Sequence, residues 1–521
     1  MRAHLRAVTM TAAITLAPAV ALAVAAADPA AGAEAAVADA TTAVTPALIA
    51  LQPADGAREV NPDTHLVLRF AQPPVLGASG LIRIYDAATG KLVDTLDLSI
   101  PAGPTERTTL PQAPYLATPY VYADGPRATN ATTKAGTPST GADPGDPGRY
   151  QLTIIGGFTD GFHFHPVIVQ DTSATIYPHN NLLAYGKRYR VQVDQAVFGK
   201  ALQWEFSTKP HGPAKDTERV VVSADGSADF STVQGALDHV PDHPAKRVTI
   251  FVRNGDYEEI VYFRNKRNLT IQGEQRDKVR IHYANNEVFN PHPPNISTNE
   301  VAGTFPSRRA AFAADNVRSV HLRDLTLETT LQGQAEGLLI TGAENIVANT
   351  TIIGSGDALQ VNGSTYLPDV KVIGGGDTIL GRGPAFFERC EIQSQHAYMW
   401  IRNPAGNHGN VFVGCRFTTL GGGQTELARL PANKGRNYPY AEAVLIDATL
   451  SGISPAGWGP VEGDVSNVHF WEYNSRNVDG TPVDVSKRHP ASRQLTMERD
   501  AETIRNYRNP AWVLDGWMPP R

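Results

Sequence analysis

Asp357 and Asp377 stand behind two small-residue runs, GSG and GGG, and each precedes a short apolar run. Two carboxyl groups held close together cannot both ionise easily, so one stays charged while its neighbour takes a proton. Such a pair can divide the work of nucleophile and general acid. The two positions are 20 residues apart, close to one coil of a coiled β-architecture, so stacked coils would bring both into one cleft. A single aspartate after glycine is more often a turn residue that hydrogen-bonds its own backbone. The repetition of the frame is what favours chemistry. No G-x-S-x-G elbow is present, which disfavours a serine hydrolase. No zinc-ligand spacing occurs either.

The elements that must position these groups follow from recurring apolar alternation. The pieces SVHLRDLTLE, ENIVANTTIIG, PDVKVIGGGDTI, AFFERCEIQ, NVFVGCRFTTL, EAVLIDATLSG and VHFWEYNS each carry apolar residues at alternate positions before a turn. Their spacing is roughly 20 to 33 residues, the scale of a stacked solenoid. Strands without intervening helices make this an all-β chain whose second domain, residues 218–521, is a right-handed parallel β-helix. It opens with a strand, a glycine turn and one helix. Ser231 and Gln234 fit a capping box there, and Val233, Ala236, Leu237 and Val240 form one apolar face. That helix would cap the open end of the stack and hide its unpaired edge. Cys390 and Cys415 hold equivalent places in ERCEI and VGCRF, and stacking would bring them within about 5 Å. A disulfide and a buried pair of free thiols both remain open.

Ahead of the β-helix the chain reads differently. Residues 1–27 read as a signal peptide, with Arg2 and Arg6 before an apolar run from Ala12 to Ala27 and an A-x-A-like option at Ala21-Leu22-Ala23. The run is alanine-rich and short for a stable span, so cleavage and export are favoured over membrane insertion. Residues 28–44 form an Ala/Thr-rich linker. Residues 45–211 show short strands, THLVLRF, GLIRIYD, YQLTIIG, KRYRVQVD and LQWEFST, separated by turns. That is the pattern of a small β-sandwich. Its opening resembles bacterial Ig-like modules attached to secreted enzymes. A polar excursion, residues 129–148, interrupts it. His163 and His165 alternate on one strand without a nearby third ligand, which reads as an ordinary strand face rather than a metal pair. The 521 residues carry a net charge of −6, so nothing points to nucleic acid.

From about residue 220 to 519 the motifs run in an order that resembles the pectin methylesterases, a carbohydrate esterase family. DGSADFSTVQGAL, NGDYEE and LTIQGE come first. Gln334-Ala335-Glu336-Gly337-Leu338, Gly356-Asp357-Ala358-Leu359, Gly376-Asp377-Thr378-Ile379-Leu380-Gly381 and Leu427-Ala428-Arg429-Leu430-Pro431 follow, then ISPAGW and WEY. The resemblance implies that Asp377 is the nucleophile on a C6 carboxymethyl carbonyl. It implies that Asp357 protonates the leaving methanol and then serves as base for water. Gln334 would donate to the oxyanion. Arg429 would pair with Asp377, keeping it ionised and oriented.

The implied substrate is methyl-esterified homogalacturonan, with no metal or organic cofactor, and a monomer is the default for this architecture. Arg382, Tyr398, Trp400, Arg402 and Trp458 are candidates for sugar stacking and carboxylate binding, with a surface turn and core packing as the respective alternatives for Arg382 and Trp458. Three departures stand out. Gly356 replaces the usual Gln, Leu430-Pro431 removes a Trp, and Glu336 stands where the family has a small apolar residue. They keep open an esterase or acyl-CoA thioesterase of the same fold, beside a non-catalytic sugar-binding solenoid.

Overall fold

The structure, a computed structural model, describes residues 46–106, 150–156, 161–291, 308–432 and 438–520. The expected signal peptide, linker and polar excursion lie outside them. Among the described residues, no helix is long and apolar enough to cross a membrane.

Strand alternation in the first region builds two facing sheets. One joins Leu48–Gln52, Leu66–Phe70, Ser173–Ile176 and Val167–Gln170, all antiparallel. The other joins Ala57–Val60, Leu202–Thr208, Arg188–Val193, Leu81–Asp86 and Leu92–Asp97. Leu66, Leu68, Ile82, Ile84, Val191, Trp204 and Phe206 point between them and are fully buried. The expected strand at YQLTIIG takes another place. Among the described residues, Leu152–Ile154 pairs only with Gly161–His163, as a separate two-stranded ribbon. Its apolar side chains pack against the β-helix. Phe162 sits 5.3 Å from the Tyr262 ring and joins Ile260, Ala311 and Leu339 in one cluster. His163 is buried there with Nδ1 2.5 Å from the Phe289 carbonyl oxygen, and burial holds its pKa down at about 4. The His165 ring stacks on Phe289 at 4.8 Å.

The second region is a parallel β-helix. One ladder runs through nine parallel strands, from Gly255–Glu258 to Arg476–Asn477. A second runs from Arg219–Val222 to Ser492–Gln494. In-register stacking makes columns of like side chains. Leu327, Ile352, Val372, Ile392, Phe417 and Leu450 form one such column in the core. Each buried aliphatic rung contributes about 1.5–3 kcal/mol of transfer free energy. Cys390 and Cys415 stack as predicted and are free thiols, with the Cys390 amide 3.3 Å from the Cys415 sulfur.

The helix Val233–His239 covers the start of the stack with Val233, Ala236 and Leu237 buried beneath it. Its cap is Thr232 rather than Ser231. The Thr232 hydroxyl accepts from the Gly235 amide at 2.9 Å. Gln234 does not close a capping box; its side chain accepts from the Tyr262 amide and donates to Asp238. Two carboxylates complete the helix start. Glu259 accepts from the Val233 and Gln234 amides, and Asp63, from the sandwich, accepts from the Ser231 and Thr232 amides. The sandwich is thus fastened to the capping helix through its own backbone donors.

Candidate active site

The small-residue runs before both aspartates are required by the tightness of the corner. A Cβ on Gly354 would lie 2.0 Å from the Asp357 carbonyl oxygen, and one on Gly375 would lie 2.3 Å from that of Ser355. Only glycine lets backbone pack on backbone there. Asp377 itself sits in the left-handed region at φ 46°, which a short polar side chain tolerates.

Register then aligns the carboxylates. Leu338 pairs with Leu359 and Leu359 with Ile379, so the residues two positions earlier, Glu336, Asp357 and Asp377, fall on successive coils. Neighbouring strands are about 4.8 Å apart, close enough for strong coupling. The column therefore holds three acids, although a pair was predicted.

Two arginines sort them. Arg429 reaches Asp377 with both arms of its fork: Nε donates to Oδ1 at 2.7 Å, and a terminal nitrogen donates to Oδ2. That contact raises the Arg429 pKa, against burial, which lowers it. Arg309 serves the other two acids. Its Nε donates to Glu336 at 3.0 and 2.9 Å, and Nη2 donates to Asp357 Oδ2 at 2.7 Å. Burial pushes the Asp357 carboxyl up to about 7, Glu336 and Asp377 push the same way, and Arg309 and Arg402 oppose them. A carboxyl in that range can give up or take a proton near neutrality.

Gln334 lies exposed at the rim of this column. Arg309 Nη1 donates to its Oε1 at 3.0 Å, which turns the amide NH2 away as a donor. Gly356 adds nothing to the cleft but backbone. Its amide donates to the Gly333 carbonyl at 3.0 Å, and a Cβ at this position would meet that same oxygen at 3.0 Å.

Trp400 lies beside the acids. The Arg402 guanidinium sits 4.0 Å from its ring centre and that of Arg429 sits 4.9 Å away. Tyr438 meets Trp400 edge-on at 6.3 Å, and Arg382 lies 5.9 Å over the Tyr438 ring. Asp357, Asp377, Gln334, Arg429, Trp400, Arg402 and Arg382 are therefore brought to one face.

Tyr398 is not, and Trp458 takes its core-packing alternative. Tyr398 is wholly buried, its ring edge-on to Phe417 at 5.3 Å and its hydroxyl 3.0 Å from Thr419 Oγ1. Trp458 is 1% exposed and stacks on Phe470 at 4.9 Å. Both belong to the core because their side chains point into the coil, not out of it. Tyr398→Phe is accordingly expected to cost about 1 kcal/mol of stability through the lost hydrogen bond. KM for a polymeric substrate should be unchanged, a combination that thermal melts and saturation curves will check. Sequence reasoning passed over Arg309 and Tyr438. Arg309 had one indirect signal, the unusual Glu336, since a buried carboxylate demands a partner.

The pectinesterase family model matches residues 219–509. Among curated proteins, the chain is 26% identical over 272 residues to Probable pectinesterase/pectinesterase inhibitor 19 of Arabidopsis thaliana, covering 49% of each. It is 28% identical over 318 residues to Pectinesterase 1 of Olea europaea, covering 58% of this chain and 81% of the relative. The chain spans about half the length of the first curated relatives it matches. Among solved structures, a pectin methylesterase from carrot aligns with a TM-score of 0.47 and 22% identity, over 57% of this chain and 93% of its own.

Proposed function

This chain belongs to the pectinesterase family, and on that premise we propose that it is an exported pectinesterase removing methyl esters from polygalacturonate. The observation that carries the reading is the unequal treatment of two neighbouring acids. Asp377 is gripped by both arms of Arg429, whereas Asp357 shares one nitrogen of Arg309 with Glu336. The first is built to be an oriented anion and the second to exchange a proton.

In this mechanism an Asp377 oxygen attacks the C6 carbonyl carbon of a methyl galacturonate. The carbonyl oxygen becomes an oxyanion and accepts from the Gln334 amide. The C–O bond to the methoxy group then breaks, and Asp357 supplies the proton that makes methanol. An acyl-aspartyl anhydride remains. Water gives one proton to the Asp357 carboxylate and attacks that anhydride, which frees the Asp377 carboxylate and galacturonic acid and restores protonated Asp357; the new acid group then loses the second proton of the water to solvent. Trp400 offers a ring to the sugar, and Arg402 and Arg382 offer positive charge to neighbouring uronate carboxylates.

Methanol release from methyl-esterified homogalacturonan, beside acyl-CoA and simple acyl esters, tests the reading. Release from the uronate polymer alone is the expected result. Thioester cleavage without methanol release would move the activity to another acyl substrate, and no turnover of any of them would sink the enzyme reading.

A further inference from the structure

Arg309 and Glu336 have no part in the bond changes just described, yet Glu336 is wholly buried beside them and Arg309 is largely so. Glu336 is 0% exposed, and among the described residues its carboxylate finds its hydrogen bonds only in Arg309. Arg309 in turn distributes its nitrogens over three groups of the cleft. Nε and Nη2 go to Glu336, Nη2 also goes to Asp357, and Nη1 goes to the Gln334 amide oxygen. One guanidinium cannot neutralise two buried carboxylates. Glu336 holds the larger share of it, so Asp357 is the acid left to take up a proton.

We propose that Glu336 and Arg309 are a positioning pair: Glu336 draws Arg309 away from Asp357 so that Asp357 remains a proton donor, and Arg309 aims the Gln334 amide at the oxyanion. The inference rests on Asp357 being the acid of the reaction. It gives Glu336 a purpose at a position where a small apolar residue would satisfy the fold.

The charged groups facing Asp357 are Arg309, Glu336, Asp377 and Arg402, with Arg429 beyond Asp377 and Glu287 on the far side of Arg309. Removing single members has opposite consequences. Without the Glu336 charge, Arg309 commits to Asp357 and favours its anion. Without Arg309, the anion loses its nearest cation. An acid works below its pKa and fails as pH rises through it, so the alkaline limb of the rate profile reports these changes.

The experiment measures kcat/KM for methanol release against pH, together with a direct carboxyl titration of Asp357 by carbon NMR in the resting protein. Glu336→Gln is expected to move the alkaline limb down by about one pH unit or more, and Arg309→Gln to move it up by a similar amount. Both variants should also release methanol more slowly at their own optimum, Arg309→Gln most, since it frees Gln334. Glu336→Asp, which keeps the charge, should stay near the wild-type profile. A purely structural role would slow the variants while leaving the limbs in place, and that result, or shifts in one common direction, overturns the proposal.

The wild-type titration needs no variant. An Asp357 that titrates with ordinary exposed aspartates overturns the proposal as well. Absence of methanol release by the wild type at every pH would instead overturn the pectinesterase reading, while the carboxyl titrations would still decide whether the pair controls Asp357.

Discussion

Asp377→Asn is expected to lose about 10⁴-fold or more in kcat for methanol release, since deleting the nucleophile of a covalent mechanism leaves only binding and charge stabilisation. At 1.36 kcal/mol per tenfold, that is about 5 kcal/mol of barrier. Asparagine is the informative replacement for two reasons visible at the site. Residue 377 has a positive φ, which asparagine tolerates and alanine does not. Arg429 Nε can still donate to an amide oxygen where Asp377 Oδ1 stood. The backbone and half of the fork are thus retained while the attacking oxygen is lost. Melting temperature should stay within a few degrees of wild type, which separates lost chemistry from lost fold. A variant that kept a tenth of the wild-type kcat would show that Asp377 does not form the covalent bond.

Much of this site was legible because the β-helix repeats its backbone. Apolar alternation located the coils, and a spacing of 20 residues placed Asp357 and Asp377 on adjacent ones. Arg429 was legible only through motif order, since it lies 52 residues from Asp377. Arg309 is 27 residues before Glu336 and 48 before Asp357, and no local pattern links them. Their meeting depends on how coils of unequal length stack.

Side-chain direction failed at corners for the same reason. Alternation assigns faces within a strand, but Tyr398 immediately precedes the strand Met399–Ile401 and Trp458 is the first residue of Trp458–Val461. At such positions the chain turns, and period two no longer says which way a ring points. The cap is Thr232 and not Ser231 because the helix begins at Val233: the Thr232 hydroxyl accepts from the Gly235 amide, while the Ser231 hydroxyl accepts from Asn61 of the sandwich. The Cys390 and Cys415 stacking followed from the repeat, whereas their oxidation state is a matter of chemistry that no repeat encodes.

Asp357→Asn separates proton transfer from attack. An amide keeps the shape of the side chain and an acceptor for Arg309, but it has no acidic proton to give. Methoxide is a poor leaving group, so loss of a positioned acid should slow methyl ester cleavage by about 10²–10⁴-fold. The same variant should do far better on an activated aryl ester of galacturonic acid, whose phenolate can depart without a proton. Deacylation still needs a base for water, so the rescue should appear as a burst of phenolate equal to the enzyme concentration, followed by slow turnover. Asp377→Asn should give no burst, because without the nucleophile neither leaving group departs. A burst in both variants, or in neither, would contradict the division of labour in which Arg429 presents one acid for attack and the Arg309–Glu336 pair leaves the other able to carry a proton.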